Sequence, residues 1–379
     1  MSRFSSTLIA VFIVFLLRPE PAAAVPYFAR KYDVTCTRCH LLPPTLNEFG
    51  LRFAANGYKL PELVRSGTTL PIAVWLTQRF EVNESNGRAK GFPNRVELIS
   101  ADAVTPWLSY FVEWRPLSYQ TTGNQRLLGR HGRFEDVFLQ FWLPKRTVVT
   151  VGQFRMLNQW DVSRRLHLSE PQAFSAGVGG RSSRNARLAS LRSFSLSGRA
   201  PAVRATFQTF SGGSLANGWF HELVLPFSGE LTLPLGAEAR RNASFEIEGR
   251  AKGLLYETYY RQGLSSIGGS VFAGGDRWLS NLTGVWQKGD HGLLATVGTA
   301  KFRNGLQDFR LSVGDTYFAT PWLAFGARLD QQSSDRIGPA VLPHVSFSFP
   351  NSKYTYLFTI EQRIQRGRHT TLFEVGAVF

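Results

Sequence analysis

From Pro71 to Phe379 the chain is written in short segments that alternate apolar and polar residues, with Gly, Asn, Asp, Ser or Pro between them and no long run of helical period. Successive side chains of a strand point to opposite faces, so a two-residue period held over three hundred residues commits the chain to sheet. In "WLSYFVEWR" (residues 107–115), Leu108, Tyr110, Val112 and Trp114 share one face, and Ser109, Glu113 and Arg115 share the other. In "LLYETYYRQ" (254–262), Leu254, Tyr256, Thr258 and Tyr260 oppose Glu257, Tyr259 and Arg261. In "PAVRATFQTF" (201–210), Val203, Ala205 and Phe207 oppose Arg204, Thr206 and Gln208.

A soluble sandwich also alternates, but three features favour an antiparallel transmembrane β-barrel. Charges sit in mid-strand on the second face, where a sandwich needs a dry core and a barrel keeps a wet lumen. The chain holds thirty Phe, eleven Tyr and nine Trp, many near strand ends, as interfacial girdles require. The closing segment "TLFEVGAVF" alternates Phe373, Val375, Ala377 and Phe379, and resembles the terminal strand of bacterial outer-membrane barrels. Counting segments predicts about sixteen strands, with candidates at 71–81, 95–103, 107–116, 133–143, 147–156, 353–361 and 369–379; even parity is the rule for a single-chain bacterial barrel. The stretch Leu157 to Arg187, rich in Arg, Ser and Gly, predicts an extended loop or a lumen constriction.

The first seventy residues follow other rules. Arg3, the apolar run from Leu8 to Leu17, and small residues at Ala22 and Ala24 form a secretory signal peptide, residues 1–24. The run is too short to span a bilayer as a helix, which needs about 20 residues. The mature chain then starts at Val25 in an oxidising compartment, where free thiols rarely persist. The two cysteines of the chain, Cys36 and Cys39, stand in "CTRCH" with His40 directly behind. A disulfide between them would close a tiny loop and stabilise little. A thioredoxin-type pair needs a βαβ frame that is not visible, and a zinc site needs about four ligands where one histidine lies near. Cys-x-x-Cys-His is the attachment motif of haem c, with two thioethers and His40 as the proximal iron ligand; the small disulfide is the other use open to these thiols.

Around that motif the sequence predicts a compact helical module, residues 25–70. Pro43-Pro44 introduce a new helix, Thr45 and Glu48 have capping-box spacing, Leu46, Phe49 and Phe53 share a face, and Asn56-Gly57 stop it. Such a module is small for a domain and needs support from the barrel. For a distal iron ligand the candidates are few. Met156 shares strand parity with Phe154 and is expected toward lipid or at a strand end. His131, His167, His221, His291, His344 and His369 read as loop or strand-end positions, with His131 and His167 able to reach a plugged lumen. Asn47 or an open site is the other choice. No paired carboxylates, phosphate loop or Ser/His/Asp arrangement suggests hydrolytic catalysis, and nothing points to nucleic acid.

The segment "PYFARKYDVTCTRCHLLPPTLNEFGLRFAANGY", Pro26 to Tyr58, resembles the fused monohaem cytochrome–porins of the outer membrane, best known from iron-oxidising bacteria. It carries their Phe-Ala-Arg, Cys-x-x-Cys-His, Pro-x-Leu-Asn-x-Phe-Gly and closing Asn-Gly-Tyr; beyond it the likeness is one of architecture and length. The resemblance implies one haem c on Cys36, Cys39 and His40, reduced by an extracellular donor, typically Fe(II), and oxidised by a periplasmic c-type cytochrome or similar carrier. It also implies an integral barrel, residues 71–379, in outer-membrane lipid, with the haem module in the lumen or on the periplasmic side.

The formal charge is +16, from 43 basic against 27 acidic residues. Arg115, Arg155, Arg204, Arg261 and Arg310 are expected in the lumen. Positive charge near a haem raises its potential, which suits an electron acceptor, but it repels Fe²⁺ and favours a chelated, anionic donor. An arginine ladder is also ordinary porin furniture. A different function therefore competes: a solute channel whose haem module is a plug, sensor or docking site. Outward electron flow to an external acceptor is a third variant.

Overall fold

A computed structural model describes residues 26–60, 70–84, 87–116, 118–122, 125–129, 131–157, 166–169, 175–176, 194–195, 199–210, 217–230, 232–234, 246–251, 253–274, 277–302, 305, 307–333, 338–350 and 355–379. The expected signal peptide and most of 157–187 lie outside the described residues.

The alternating segments form a closed antiparallel barrel of sixteen strands. They are β1 (Ala73–Asn83), β2 (Arg88–Thr105), β3 (Leu108–Arg115), β4 (His131–Leu143), β5 (Thr147–Arg155), β6 (Arg199–Phe210), β7 (Gly218–Glu230) and β8 (Gly253–Gln262). The second half is β9 (Ser265–Gly274), β10 (Arg277–Lys288), β11 (His291–Phe302), β12 (Gln307–Thr320), β13 (Leu323–Gln332), β14 (Ala340–Pro350), β15 (Thr355–Gln365) and β16 (Arg368–Val378). Each pairs with its neighbours in sequence, and β16 returns to β1, with Phe373 opposite Phe80. The seam is finished by Val74 and Phe379, whose backbones exchange hydrogen bonds of 2.6 and 2.9 Å. Closure leaves no open edge, the only way a sheet can cross hydrocarbon.

The period of two sets which side faces lipid. Along β8, Leu254 and Tyr256 are exposed, whereas Leu255, Glu257, Tyr259 and Arg261 are buried. Leu225, Val271, Leu282 and Phe325 continue the apolar outer face. Trp107, Trp219, Trp286 and Trp322 are exposed beside the short turns at one end, the place an aromatic girdle occupies. These turns include 106–107, 144–146, 263–264, 289–290 and 321–322. We call this end the short-turn end.

The charged inner wall is arranged in pairs, and this corrects the expected basic ladder. Arg115 meets Glu97 and, at 3.1 Å, Glu135; Arg204 meets Glu222 at 3.2 Å; Arg310 meets Asp308 at 2.7 Å. Arg328 and Asp330, two residues apart on β13, pair at 3.0 Å, and Arg79 reaches Glu374 at 2.6 Å. Arg261 lies over the Phe220 and Tyr259 rings. A buried guanidinium needs such partners because its desolvation costs several kcal/mol. Among the described residues, the charges of Arg79, Arg115, Arg204, Arg310 and Arg328 are thus offset where they stand.

The wall also carries an inward apolar patch that the sequence reading did not foresee. Phe154, Met156, Leu157, Ala202, Val224, Leu255, Phe272, Leu279 and Ala300 form one buried cluster. Met156, directly after the last residue of β5, is thus at a strand end, one of the two expected places, and inside rather than toward lipid. Alternation itself puts it there: Thr150, Phe154 and Met156 share one parity and are all buried, while Val151 on the other parity is exposed and only Gln153 departs from the pattern. Facing them, β4 shifts register against β3 near Phe134–Val137, and the Gln153 amide donates to the Phe134 and Glu135 carbonyls at 2.6 and 3.0 Å.

Candidate functional site

Residues 26–60 fold as α1 (Pro26–Tyr32), a 3₁₀ turn at Cys36–Arg38, a short ladder of His40–Leu42 with Thr45–Leu46, and α2 (Glu48–Ala55). The segment crosses the short-turn mouth. On one arc of the wall, Tyr27, Phe28 and Phe53 pack with Ala73 and Ala101, and Tyr58 stands 6.1 Å from the Phe111 ring. Lys31 pairs with Asp102, which also accepts from the Tyr27 hydroxyl at 2.7 Å. On the far arc, Leu42 packs with Phe318 and Ala324, and the Cys36 thiol lies 3.2 Å from the Thr355 hydroxyl. A segment that touches opposite arcs of a closed wall must lie across its interior.

Local chemistry explains the shape of the Cys-x-x-Cys-His turn. The Cys39 N–H donates to the Cys36 carbonyl at 3.0 Å. Asn47 then ties turn to helix: its Nδ2 donates to the Thr37 and Arg38 carbonyls at 3.0 and 3.1 Å, and its Oδ1 accepts the Gly50 N–H at 2.9 Å. Asn47, not Thr45, caps α2, and Thr45 is drawn into the ladder with Leu42. The expected capping box is corrected accordingly. An asparagine side chain two residues nearer the helix competes better for the first N–H groups. A Cβ on Gly50 would strike the Cys39 carbonyl, so a residue without one brings helix and turn together. Gly57 ends α2 at φ +66, against the Trp142 ring.

Both cysteines are free and buried, clustered with Ala29 and flanked by Phe49. Burial pushes the Cys36 thiol up to about 11 and the Cys39 thiol up to about 12, so both hold their protons at neutral pH. His40 follows immediately; burial lowers its imidazole to about 4, and its Nδ1 is buried without a hydrogen-bond partner. A neutral imidazole with an unengaged nitrogen beside two buried thiols could hold a covalently attached porphyrin.

The distal candidates separate. Met156 belongs to the β5–β11 patch, away from the residues clustered with the cysteines. Asn47 is committed to the turn. His221 bonds Tyr256 at 3.0 Å and Thr258 at 3.1 Å, and His291 pairs with Asp315 at 3.0 Å near a turn. The His131 side chain lies outside the described residues, and His369 lies near the start of β16. His167 does enter the lumen. Leu166 packs on Leu42 of the mouth segment, and His167, Leu168 and Ser169 all bond Glu361 of β15. Within 157–187, expected as an extended loop or a lumen constriction, the described residues 166–169 lie against the inner wall. His344 is a correction: it is not at a strand end but in the middle of β14, buried at 3% exposure and touching His167. Its position inside a Pro-His-Val stretch gave no signal of depth. Among the described residues, no group of three or more His, Cys, Asp or Glu is placed to hold a metal ion.

No protein-family model matches the chain, and no curated protein does. Solved structures do. The OmpF of Salmonella typhi, in complex with daunomycin, superposes with a TM-score of 0.51 at 9% identity, over 81% of this chain and 97% of that one. The anion-selective porin from Comamonas acidovorans gives 0.48 at 12% identity, over 81% and 98%. The OprB of Pseudomonas putida gives 0.46 at 10%, over 81% and 92%. At such identity the likeness is one of fold. The class is thereby defined at the level of fold: a porin-like sixteen-stranded closed barrel.

Proposed function

We propose that the chain is an outer-membrane barrel plugged by a haem c-bearing segment, and that it moves electrons across the membrane. Cys36 and Cys39 form the two thioethers and His40 is an axial ligand. The donor is extracellular, most simply Fe(II), and the acceptor is a periplasmic c-type cytochrome or similar carrier. The observation that carries this reading is the Cys-x-x-Cys-His turn itself, buried in the mouth with two free thiols and an imidazole nitrogen unengaged. When bound, the haem supplies a one-electron carrier whose potential responds to burial and nearby charge. The chain does the rest. Ala29 and Phe49 keep water from the attachment site, Asn47 holds the turn, and the segment together with 166–169 obstructs the lumen. The short turns face the periplasm by the usual rule for such barrels, which sets the haem on that side.

The porin-like fold favours a second reading, a solute channel for which the segment is a plug. One experiment separates the two. Protein is reconstituted in proteoliposomes and Fe(II) is added outside only. Rapid reduction of a pigment that survives acid–acetone extraction supports electron transfer. Solute flux without reduction supports the channel, and a pigment-free protein removes the haem altogether.

A further inference from the structure

The 166–169 stretch and the wall beneath it enclose a second group of polar residues, distinct from the cysteine turn. His344 is 3% exposed, and neither of its ring nitrogens has a hydrogen-bond partner. A buried polar atom left without a partner costs about 1–3 kcal/mol, so the position calls for an explanation. Its ring is seated over Gly326, where an added Cβ would lie 2.9 Å from Cε1. Against it stands His167, with ring centroids 4.1 Å apart and planes at 59°. The Nδ1 of His167 meets Glu361 Oε2 at 2.8 Å. Donation of Nδ1–H to that carboxylate leaves the Nε2 lone pair available, the arrangement by which carboxylates orient metal-binding histidines.

The charges that face the pair are Glu361, Asp330 and Arg328. Arg328 is held by Asp330 and by the Ser169 carbonyl and hydroxyl, each at 3.0 Å. Two carboxylates and one guanidinium leave a net single negative charge, which favours a cation over an anion.

We propose that His167 and His344 together bind a divalent transition-metal ion inside the barrel, with Glu361 orienting His167 and water completing the coordination. Imidazole pairs suit copper, nickel, zinc and iron rather than magnesium or calcium. Two imidazoles on one ion, with metal–nitrogen bonds of about 2.1 Å, hold their centroids about 5 Å apart, so the rings part by roughly 1 Å on binding. This site does not depend on haem attachment.

The test uses untagged full-length chain carrying Cys36→Ala and Cys39→Ala, so that no haem signal intrudes, with Cu(II) as the probe. Electron paramagnetic resonance at one equivalent is expected to show coupling to two imidazole nitrogens. His344→Gln and His167→Gln each abolish the two-nitrogen signal, and Glu361→Gln weakens binding about 10- to 100-fold. Retention of that signal in His344→Gln overturns the proposal. Assembly of each variant is checked by heat-shifted gel migration. Should one fail to assemble, the parent chain decides: two coupled nitrogens support the site, and one or none overturns it.

Discussion

Replacing Asp102 by alanine tests whether the mouth segment is held as a plug. Asp102 takes both the Lys31 ammonium and the Tyr27 hydroxyl, and the Lys31 side chain is only 4% exposed against 15% for Asp102. Removing one partner of a buried ion pair costs about 3–5 kcal/mol. The partial exposure of the carboxylate places this one near the lower bound, about 3 kcal/mol. That is a shift of about 150-fold in the docking equilibrium, at 1.36 kcal/mol per tenfold. The aromatic packing of Phe28 and Phe53 and the Leu42 contact survive, so the segment still docks most of the time. Single-barrel conductance in planar bilayers should show brief full openings about two orders of magnitude more often than in the parent protein. Asp102→Asn, which still accepts from Tyr27, should fall between. If Asp102→Ala assembles normally and opens no more often than the parent, the segment is not held at this point and the plug argument fails.

Other perturbations address the remaining parts. Cys36→Ala or Cys39→Ala should leave at most one thioether and sharply reduce pigment retained on a denaturing gel, whereas His40→Ala should keep the pigment and change its spectrum. Gly50→Ala forces α2 off the Cys39 carbonyl and should lower resistance of the mouth segment to trypsin. Alanine at Gly284, where nothing lies within 4 Å of the added Cβ, should leave that resistance unchanged. On the outer face, Leu282→Arg in the middle of β10 should cost about 2–4 kcal/mol in urea titrations of the folded barrel, and Trp286→Arg near its end about 0–1 kcal/mol. Equal costs at the two depths would refute the assignment of that face to lipid.

The sheet was legible because each strand repeats one rule. Alternation at Leu254–Arg261 predicts both the strand and its wet face, and the sum of such segments gives sixteen strands. What escaped the sequence depends on contacts between distant residues. Met156 was expected toward lipid or at a strand end because it shares parity with Phe154, but that parity, with Thr150, faces the inside of the wall. The cap of α2 was misread because Thr45 and Asn47 are both good caps, and pairing of His40 with Leu46 decides between them. Arg115, Arg204 and Arg310 lie on the inner wall as expected, but the carboxylates that oppose them come from neighbouring strands or from two residues away. His344 gave no sign of its partner, because His167 arrives from a segment 177 positions earlier.

The seat of the cysteine turn sets a length scale for either reading of the protein. Thr355, beside Cys36, is the first residue of β15, at the short-turn rim. From there to the opposite rim the apolar band is about 25 Å tall. On the proposed electron-transfer reading, a single redox centre at one rim would be out of touch with a reductant beyond the other. That reductant would itself have to travel down the cylinder, past residues 166–169, before any electron is exchanged. Permeability and redox rate are then governed by one narrow path, and widening it should raise both.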